Sequence, residues 1–212
     1  MITIKKLTKK FGSTLSLDEV SINFNKNDSI ALMGANGAGK TTLIRSILGY
    51  YHPSSGEVLV NGLDPIKARQ EVLKHIAFVP QLPPPIKLSI DELIKYIEVS
   101  SNVKRESILY YANEMKLDID GNMKKSFFKL SGGMKQKLLI AIALAQESNI
   151  LIFDEPTANL DPKARDDFYR LLEGKQKDRV SLFVTHRLEE VKALVNREVY
   201  MDLGKVIADE KI

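Results

Sequence analysis

The stretch SIALMGANGAGKTTLIRSIL, residues 29–48, decides how this chain is read. Ser29 to Met33 is a short apolar run of the kind that forms a buried strand, and Thr41 to Leu48 has helical spacing. Between them, GANGAGKT from Gly34 to Thr41 matches G-x-x-x-x-G-K-[ST] in full. Glycines at these places let the backbone wrap a β-phosphate with its N–H groups. Lys40 then reaches the β- and γ-phosphates, and the Thr41 hydroxyl is placed to ligate Mg²⁺. Gly34, Asn36, Gly37, Ala38, Gly39, Lys40, Thr41 and Thr42 are therefore the candidate nucleotide-binding residues. The pattern alone does not say which kind of P-loop protein carries it.

Two further segments carry chemistry. LSGGMKQK, from Leu130 to Lys137, sets a serine and two glycines at the head of a helix. Main-chain N–H groups at such a start point at an anion, and the helix dipole favours a phosphate there. The chain thus has a second anion cradle, Ser131, Gly132 and Gly133, apart from its P-loop. ILIFDE ends an apolar strand on Asp154 and Glu155. Charge beside a dry core is costly, so two adjacent carboxylates at a strand end point to a task. An aspartate can hold the Mg²⁺ shell, and the glutamate beside it can orient and polarise an attacking water. No motif for a second substrate is evident, so water is the expected acceptor.

The bulk numbers agree with a P-loop enzyme and exclude other classes. At 212 residues the chain fits one domain with an inserted lobe, and 44% hydrophobic residues suffice for a packed core. The net charge of +4 comes from interleaved acidic and basic residues rather than a basic run, so nucleic acid is not an expected partner. With no cysteine there are no disulfides or thiolate metal sites. MITIKKLTKKFG alternates as a strand does, so no signal peptide is expected. The longest apolar run, LLIAIALA from Leu138 to Ala145, is far short of the roughly 18 residues that span a bilayer. The expectation is a chain soluble by itself, with any membrane spans supplied by another chain.

The pattern predicts strands at ITIKKL, at 17–24, at GEVLVNG and at 76–79, and a helix over 66–75. From Leu82 to Lys129 the character changes. Pro83 to Pro85 stiffen a link, and Ser89 with Glu92 forms a capping box that opens a helix. A second helix is expected over 104–115, then a long apolar helix to Gln146, and strands at 150–153 and 180–184. Asp161-Pro162 reads as an N-cap followed by proline at the first helical position. A helix over 188–194 and a terminal strand pair around Gly204 complete the chain. Strands alternating with helices predict an α/β fold: a P-loop NTPase core with a mostly parallel sheet, an N-terminal antiparallel β-subdomain and an inserted α-helical subdomain.

In order and at matching spacing, these segments resemble the ATP-binding subunits of ABC transporters, over nearly the whole chain. GANGAGKTT is similar to the family's Walker A, Gln81 in FVPQ to the Q-loop, LSGGM to the LSGGQ signature and ILIFDEPT to Walker B. ANLD, ending at Asp161, resembles the D-loop, and His186 in FVTH the switch histidine. Phe11 stands where the family places an aromatic under the adenine. Met134 and Asn159 depart from the usual glutamine and glycine or serine. The resemblance implies ATP and Mg²⁺ as cofactors, Glu155, His186 and Gln81 as catalytic residues, and Thr41, Gln81 and Asp154 around the metal. It also implies a head-to-tail homodimer in which Ser131, Gly132, Gly133 and Asp161 of one subunit contact the nucleotide of the other. Residues 1–81 and 130–212 would then form the nucleotide-binding core. Residues 82–129 would be the helical subdomain carrying the contact with a transmembrane permease on a separate chain. The expected place is the cytoplasmic face of the cell membrane, peripheral through that permease.

A non-transport ABC ATPase acting on nucleic acid or the ribosome is the alternative. The DNA-repair type carries a long coiled coil, for which the roughly 50 residues from Gln81 to Leu130 are too few, and the ribosomal type usually joins two cassettes in one chain. An unrelated kinase or GTPase would leave LSGG and His186 unexplained. The cassette's compactness and its loop variants are more similar to small export-type cassettes than to sugar importers. QLPPPIKLSIDEL and FFKLSGGMKQK are similar to the ATPase that serves maturation of the copper enzyme nitrous-oxide reductase.

Overall fold

Alternating burial organises the first strands of the computed structural model, which describes residues 1–212. In β1 (Ile2–Phe11) the side chains of Ile2, Ile4 and Leu7 are buried, and in β2 (Thr14–Phe24) those of Leu17, Val20, Ile22 and Phe24. The five residues of β3 (Ser29–Met33) are all buried, as expected of a strand inside a parallel sheet. Helix α1 (Lys40–Ile47) follows the P-loop, then β4 (Ser55–Val60), α2 (Arg69–Lys74) and β5 (Ile76–Val79). Helices α3 (Ile90–Ser101), α4 (Arg105–Glu114) and α5 (Gly132–Ala145) come next. The chain ends with β6 (Ile150–Asp154), α6 (Pro162–Leu172), β7 (Val180–Val184), α7 (Leu188–Val191), β8 (Arg197–Asp202) and β9 (Lys205–Lys211).

The chain divides into two compact units. The first holds residues 1–76, 149–154 and 176–212. It contains an antiparallel three-stranded sheet, β2-β1-β4, in which Ile2 faces Phe24 on one side and Val60 on the other. It also contains the strands β6-β7-β3-β8-β9, of which the first four run parallel and β9 returns antiparallel on β8. The mixed, mostly parallel sheet and the N-terminal antiparallel sheet are as the sequence predicts.

The second unit holds residues 77–148 and 155–175 and is largely helical. Its core gathers Ile90, Leu93 and Ile94 of α3, Ile108 and Ala112 of α4, and Leu138 and Ala141 of α5 around Phe127. Ser89 and Glu92 close the capping box reciprocally: Ser89 Oγ accepts from the Glu92 N–H at 3.3 Å, and Glu92 accepts from the Ser89 N–H at 2.8 Å. Two short 3₁₀ turns, Asp120–Asn122 and Phe127–Lys129, lie where no element was predicted.

Two helices are shorter than their periodicity suggested. The segment expected to be helical over 66–75 begins only at Arg69, because the Asp64 side chain accepts the Ile66 N–H at 2.8 Å and holds a turn there. The helix expected over 188–194 ends at Val191. Past that point the chain turns to serve β3: the Ser29 hydroxyl donates to the Leu194 carbonyl at 2.6 Å, and the Ser29 N–H donates to Asn196 Oδ1 at 2.9 Å.

Candidate nucleotide site

In the first unit, strand register brings the candidate residues together. Asp154 pairs with Val184 across β6 and β7, and Val184 pairs with Leu32 across β7 and β3. The carboxylate-bearing end of β6 is thus level with the last residues of β3, and the P-loop begins at Gly34, directly after β3. His186 follows β7 by two residues and is exposed. Asp154 is 7% exposed. Ligands of open α/β sheets bind outside the carboxyl ends of the strands, where these residues gather.

Two of the P-loop glycines, Gly34 and Gly39, leave no room for a side chain. Gly34 has φ +146, and a Cβ there would lie 2.2 Å from the Met201 carbonyl oxygen. Gly39, at φ +101, would set a Cβ 2.7 Å from the Ser16 carbonyl oxygen and is the N-cap of α1, with no side chain capping that helix. The loop is held from outside by residues the motif does not contain. The Ser16 and Thr42 hydroxyls share a hydrogen bond of 2.8 Å. The Gly204 N–H donates to the Ala38 carbonyl at 3.1 Å. Lys40 folds back, its ammonium donating to the Gly34 and Ala35 carbonyls at 2.6 and 3.0 Å.

These features fit a triphosphate. An uncapped helix start of eight residues offers its first N–H groups to an anion, and the ammonium is held over the loop that would receive it. They also fit Mg²⁺. No group of three or more His, Cys, Asp or Glu is assembled as a metal cage. Mg²⁺ is usually held by one or two carboxylates with water and substrate phosphates. Asp154, which is buried, and Thr41, which is exposed, are the candidate oxygen donors in this unit.

Phe11 ends β1 and is 42% exposed. Its ring meets Tyr51 edge-on at 5.0 Å, with the Lys9 ammonium 4.9 Å from the Phe11 centroid.

In the second unit, Ser131 is the N-cap of α5, and its hydroxyl accepts the Met134 N–H at 3.2 Å. A hydroxyl oxygen that accepts in this way still has its proton to donate. Gly132 and Gly133 open α5 beside Asn159: a Cβ on Gly133 would lie 3.1 Å from the Asn159 carbonyl oxygen. Asp161 caps α6, accepting the Ala164 N–H at 3.0 Å, with Pro162 just after it as predicted. That bond, more than any nearby charge, holds the Asp161 carboxyl below its ordinary range. Glu155 directly follows β6 with φ +48, a left-handed backbone that costs a residue with a side chain of order 1 kcal/mol. Gln81 lies exposed just past β5.

The family model described as ABC transporter matches residues 17–158. That span includes the P-loop, Gln81, the LSGG segment, Asp154 and Glu155, and stops before Asp161 and His186. The chain belongs to the ABC transporter family.

The energy-coupling factor transporter ATP-binding protein EcfA2 of Clostridium tetani is 34% identical over 92% of this chain and 71% of its own length. The ABC transporter ced-7 of Caenorhabditis elegans is 32% identical over 98% of this chain, which spans only 12% of that protein. Among solved structures, the dimeric, post-hydrolysis ATP-binding cassette MJ0796 bound to ADP and Pi superposes with a TM-score of 0.87. It is 26% identical, covering 100% of this chain and 98% of that one. The chain is an ABC-type ATPase with the family's P-loop fold. No helix is long and apolar enough to cross a membrane.

The sequence did not single out Ser16, Lys9, Arg45 or Tyr51, and it marked Gly204 only as the turn of the terminal strand pair. Only long-range pairing brings Ser16 and Gly204 under the P-loop, and no local pattern announces them.

Proposed function

We propose that this chain is the ATP-binding and hydrolysing subunit of an ABC transporter, working as an ATP-dependent head-to-tail homodimer on a separate transmembrane permease. The observation that carries this reading is the register of Leu32, Val184 and Asp154, which sets a buried carboxylate level with the end of the strand that enters the P-loop.

Lys40 and the N–H groups of residues 34–42 bind the phosphates, with Gly34, Asn36, Gly37, Ala38, Gly39, Thr41 and Thr42 forming the loop, and Phe11 carries the base. Thr41, Asp154 and Gln81 would hold Mg²⁺, which would neutralise charge on the phosphates. Glu155 orients and deprotonates the attacking water, and His186 holds the γ-phosphate end of the site. Ser131, Gly132, Gly133 and Asp161 serve the nucleotide of the partner copy. The Ser131 hydroxyl, already fixed as a cap, donates its proton there. One short chain has two phosphate cradles because each is half of a site completed by the other subunit.

Residues 82–129 are taken as the helical subdomain that meets the permease, with 1–81 and 130–212 as the core. Exposed Leu82, Tyr96, Val99 and Tyr110 support that choice. The permease holds the chain at the cytoplasmic face of the membrane. Export is favoured by the P-loop and signature variants. A role in maturing nitrous-oxide reductase rests on the resemblance of QLPPPIKLSIDEL and FFKLSGGMKQK alone.

Affinity capture of the chain from native membranes tests the reading. Mass spectrometry is expected to find a polytopic membrane protein in stoichiometric amount. Recovery of ribosomes or nucleic acid in its place would overturn transport.

A further inference from the structure

Phe11, Tyr51, Arg45 and Lys9 form a connected brace. Phe11 and Tyr51 meet edge-on, with centroids 5.0 Å apart and planes at 77°. The Tyr51 hydroxyl accepts from Arg45 Nη1 at 2.7 Å, and Arg45 belongs to α1, the helix whose N-terminus forms the end of the P-loop. The Lys9 ammonium stands 4.9 Å from the Phe11 centroid and 5.7 Å from that of Tyr51, and donates to the His52 carbonyl at 2.8 Å. The segment after Tyr51 is tied to β1 by main chain as well. The Ser54 N–H donates to the Thr8 carbonyl at 2.8 Å, and Ser54 Oγ accepts the Lys10 N–H at 3.0 Å.

An aromatic ring 42% exposed at the end of a strand would ordinarily sample several orientations. Here a cation lies 4.9 Å from the ring centroid and a second ring meets it at 77°. That ring is in turn anchored to the helix that begins at Lys40. A platform held this way keeps a constant distance and tilt relative to the phosphate cradle.

We infer that Tyr51, anchored by Arg45 and Lys9, is a positioning residue that fixes Phe11 as a base platform relative to the P-loop, so that base and phosphates are gripped as one rigid unit. The inference rests on the reading that the base stacks on Phe11. Tyr51 acts through Phe11 and need not touch the nucleotide. Pre-organisation of this kind raises affinity by removing the ordering cost from binding.

The test is calorimetric titration of the full chain with two probes in the same Mg²⁺ buffer, ATP and inorganic tripolyphosphate, which has no base. Tyr51→Leu is expected to weaken ATP about five- to tenfold, the lower end of what base–aromatic stacking contributes, and to leave tripolyphosphate within about twofold. Tyr51→Phe keeps the ring edge and should recover most of the ATP affinity. Arg45→Ala, a change at an exposed position, should weaken ATP in the same direction and less. It serves if Tyr51→Leu does not fold. The double variant Phe11→Ala/Tyr51→Leu should be no weaker for ATP than Phe11→Ala alone, because the two residues act in series.

Three results would count against the inference, and they are separable. If Phe11→Ala leaves ATP affinity unchanged, the base does not stack on Phe11 and the underlying reading fails. If Phe11→Ala weakens ATP while Tyr51→Leu and Arg45→Ala do not, the brace alone is overturned. If Tyr51→Leu weakens tripolyphosphate as much as ATP, its effect is on the loop as a whole, and the positioning role is overturned.

Discussion

The Ser131 hydroxyl accepts the Met134 main-chain N–H at 3.2 Å, so the cap of the signature segment is made by the backbone of residue 134, while its side chain packs against the helical core. The cap itself asks nothing of the side chain at residue 134, the position at which this segment departs from the LSGGQ signature it resembles.

Met134→Gln is therefore expected to change ATP turnover by no more than about twofold. Ser131→Ala removes the cap and should lower stability by about 1 kcal/mol. Ser131→Arg should abolish turnover and leave ATP binding by the single subunit within about threefold. Steady-state hydrolysis and equilibrium titration separate these outcomes. Loss of binding in Ser131→Arg would mean that the LSGG cradle serves its own chain's nucleotide.

The P-loop glycines differ in what they tolerate. Gly34 has a carbonyl oxygen 2.2 Å from where its Cβ would lie, whereas nothing lies within 4 Å of a Cβ on Gly37, which has φ +86. Gly34→Ala should be destabilising by several kcal/mol or prevent folding, because backbone must move. Gly37→Ala meets only the left-handed penalty of about 1 kcal/mol. Thermal melts in the absence of nucleotide should show this order, and equal losses would contradict the packing described.

Much of this was legible locally. The strand, loop and helix over 29–48 announce themselves because each nearest-neighbour choice agrees with the element it forms. The capping box at Ser89 and the cap at Asp161 were equally readable, since a cap is a relation between residues three apart. The shortened helices were not readable, because a side chain that bonds its own backbone, Asp64, or a distant strand, Ser29, ended a periodic pattern that itself continues. The bracing of the P-loop by Ser16 and Gly204 and the ring contact of Tyr51 with Phe11 depend on pairings between distant segments. Of the candidate site residues, those inside motifs could be named from sequence, and those that support them could not.

Acid should weaken the second unit. Asp91 and Glu92 are held below their ordinary ranges, the first by its bonds to Lys95 and Arg105, the second by its bonds to Ser89, and Asp161 by the Ala164 N–H. With folded-state values depressed, the native state binds fewer protons than the unfolded chain. The stability these groups contribute is present above their ordinary values and is lost as pH falls from there through their depressed folded-state values, beginning at about pH 5. Asp161→Asn keeps a capping oxygen and cannot titrate there, so its melting temperature should fall less over that interval than that of the unaltered chain. An unchanged acid limb would remove Asp161 from the account.

The central claim is that one chain holds two halves of different sites, joined by ATP between two copies. Glu155→Gln tests it most directly, with sedimentation velocity run in Mg²⁺ with and without ATP alongside a hydrolysis assay. The account predicts a monomer without ATP, a stable dimer with ATP, and turnover reduced at least about a hundredfold, the scale of a lost general base. A monomer under both conditions with near-normal turnover would contradict it.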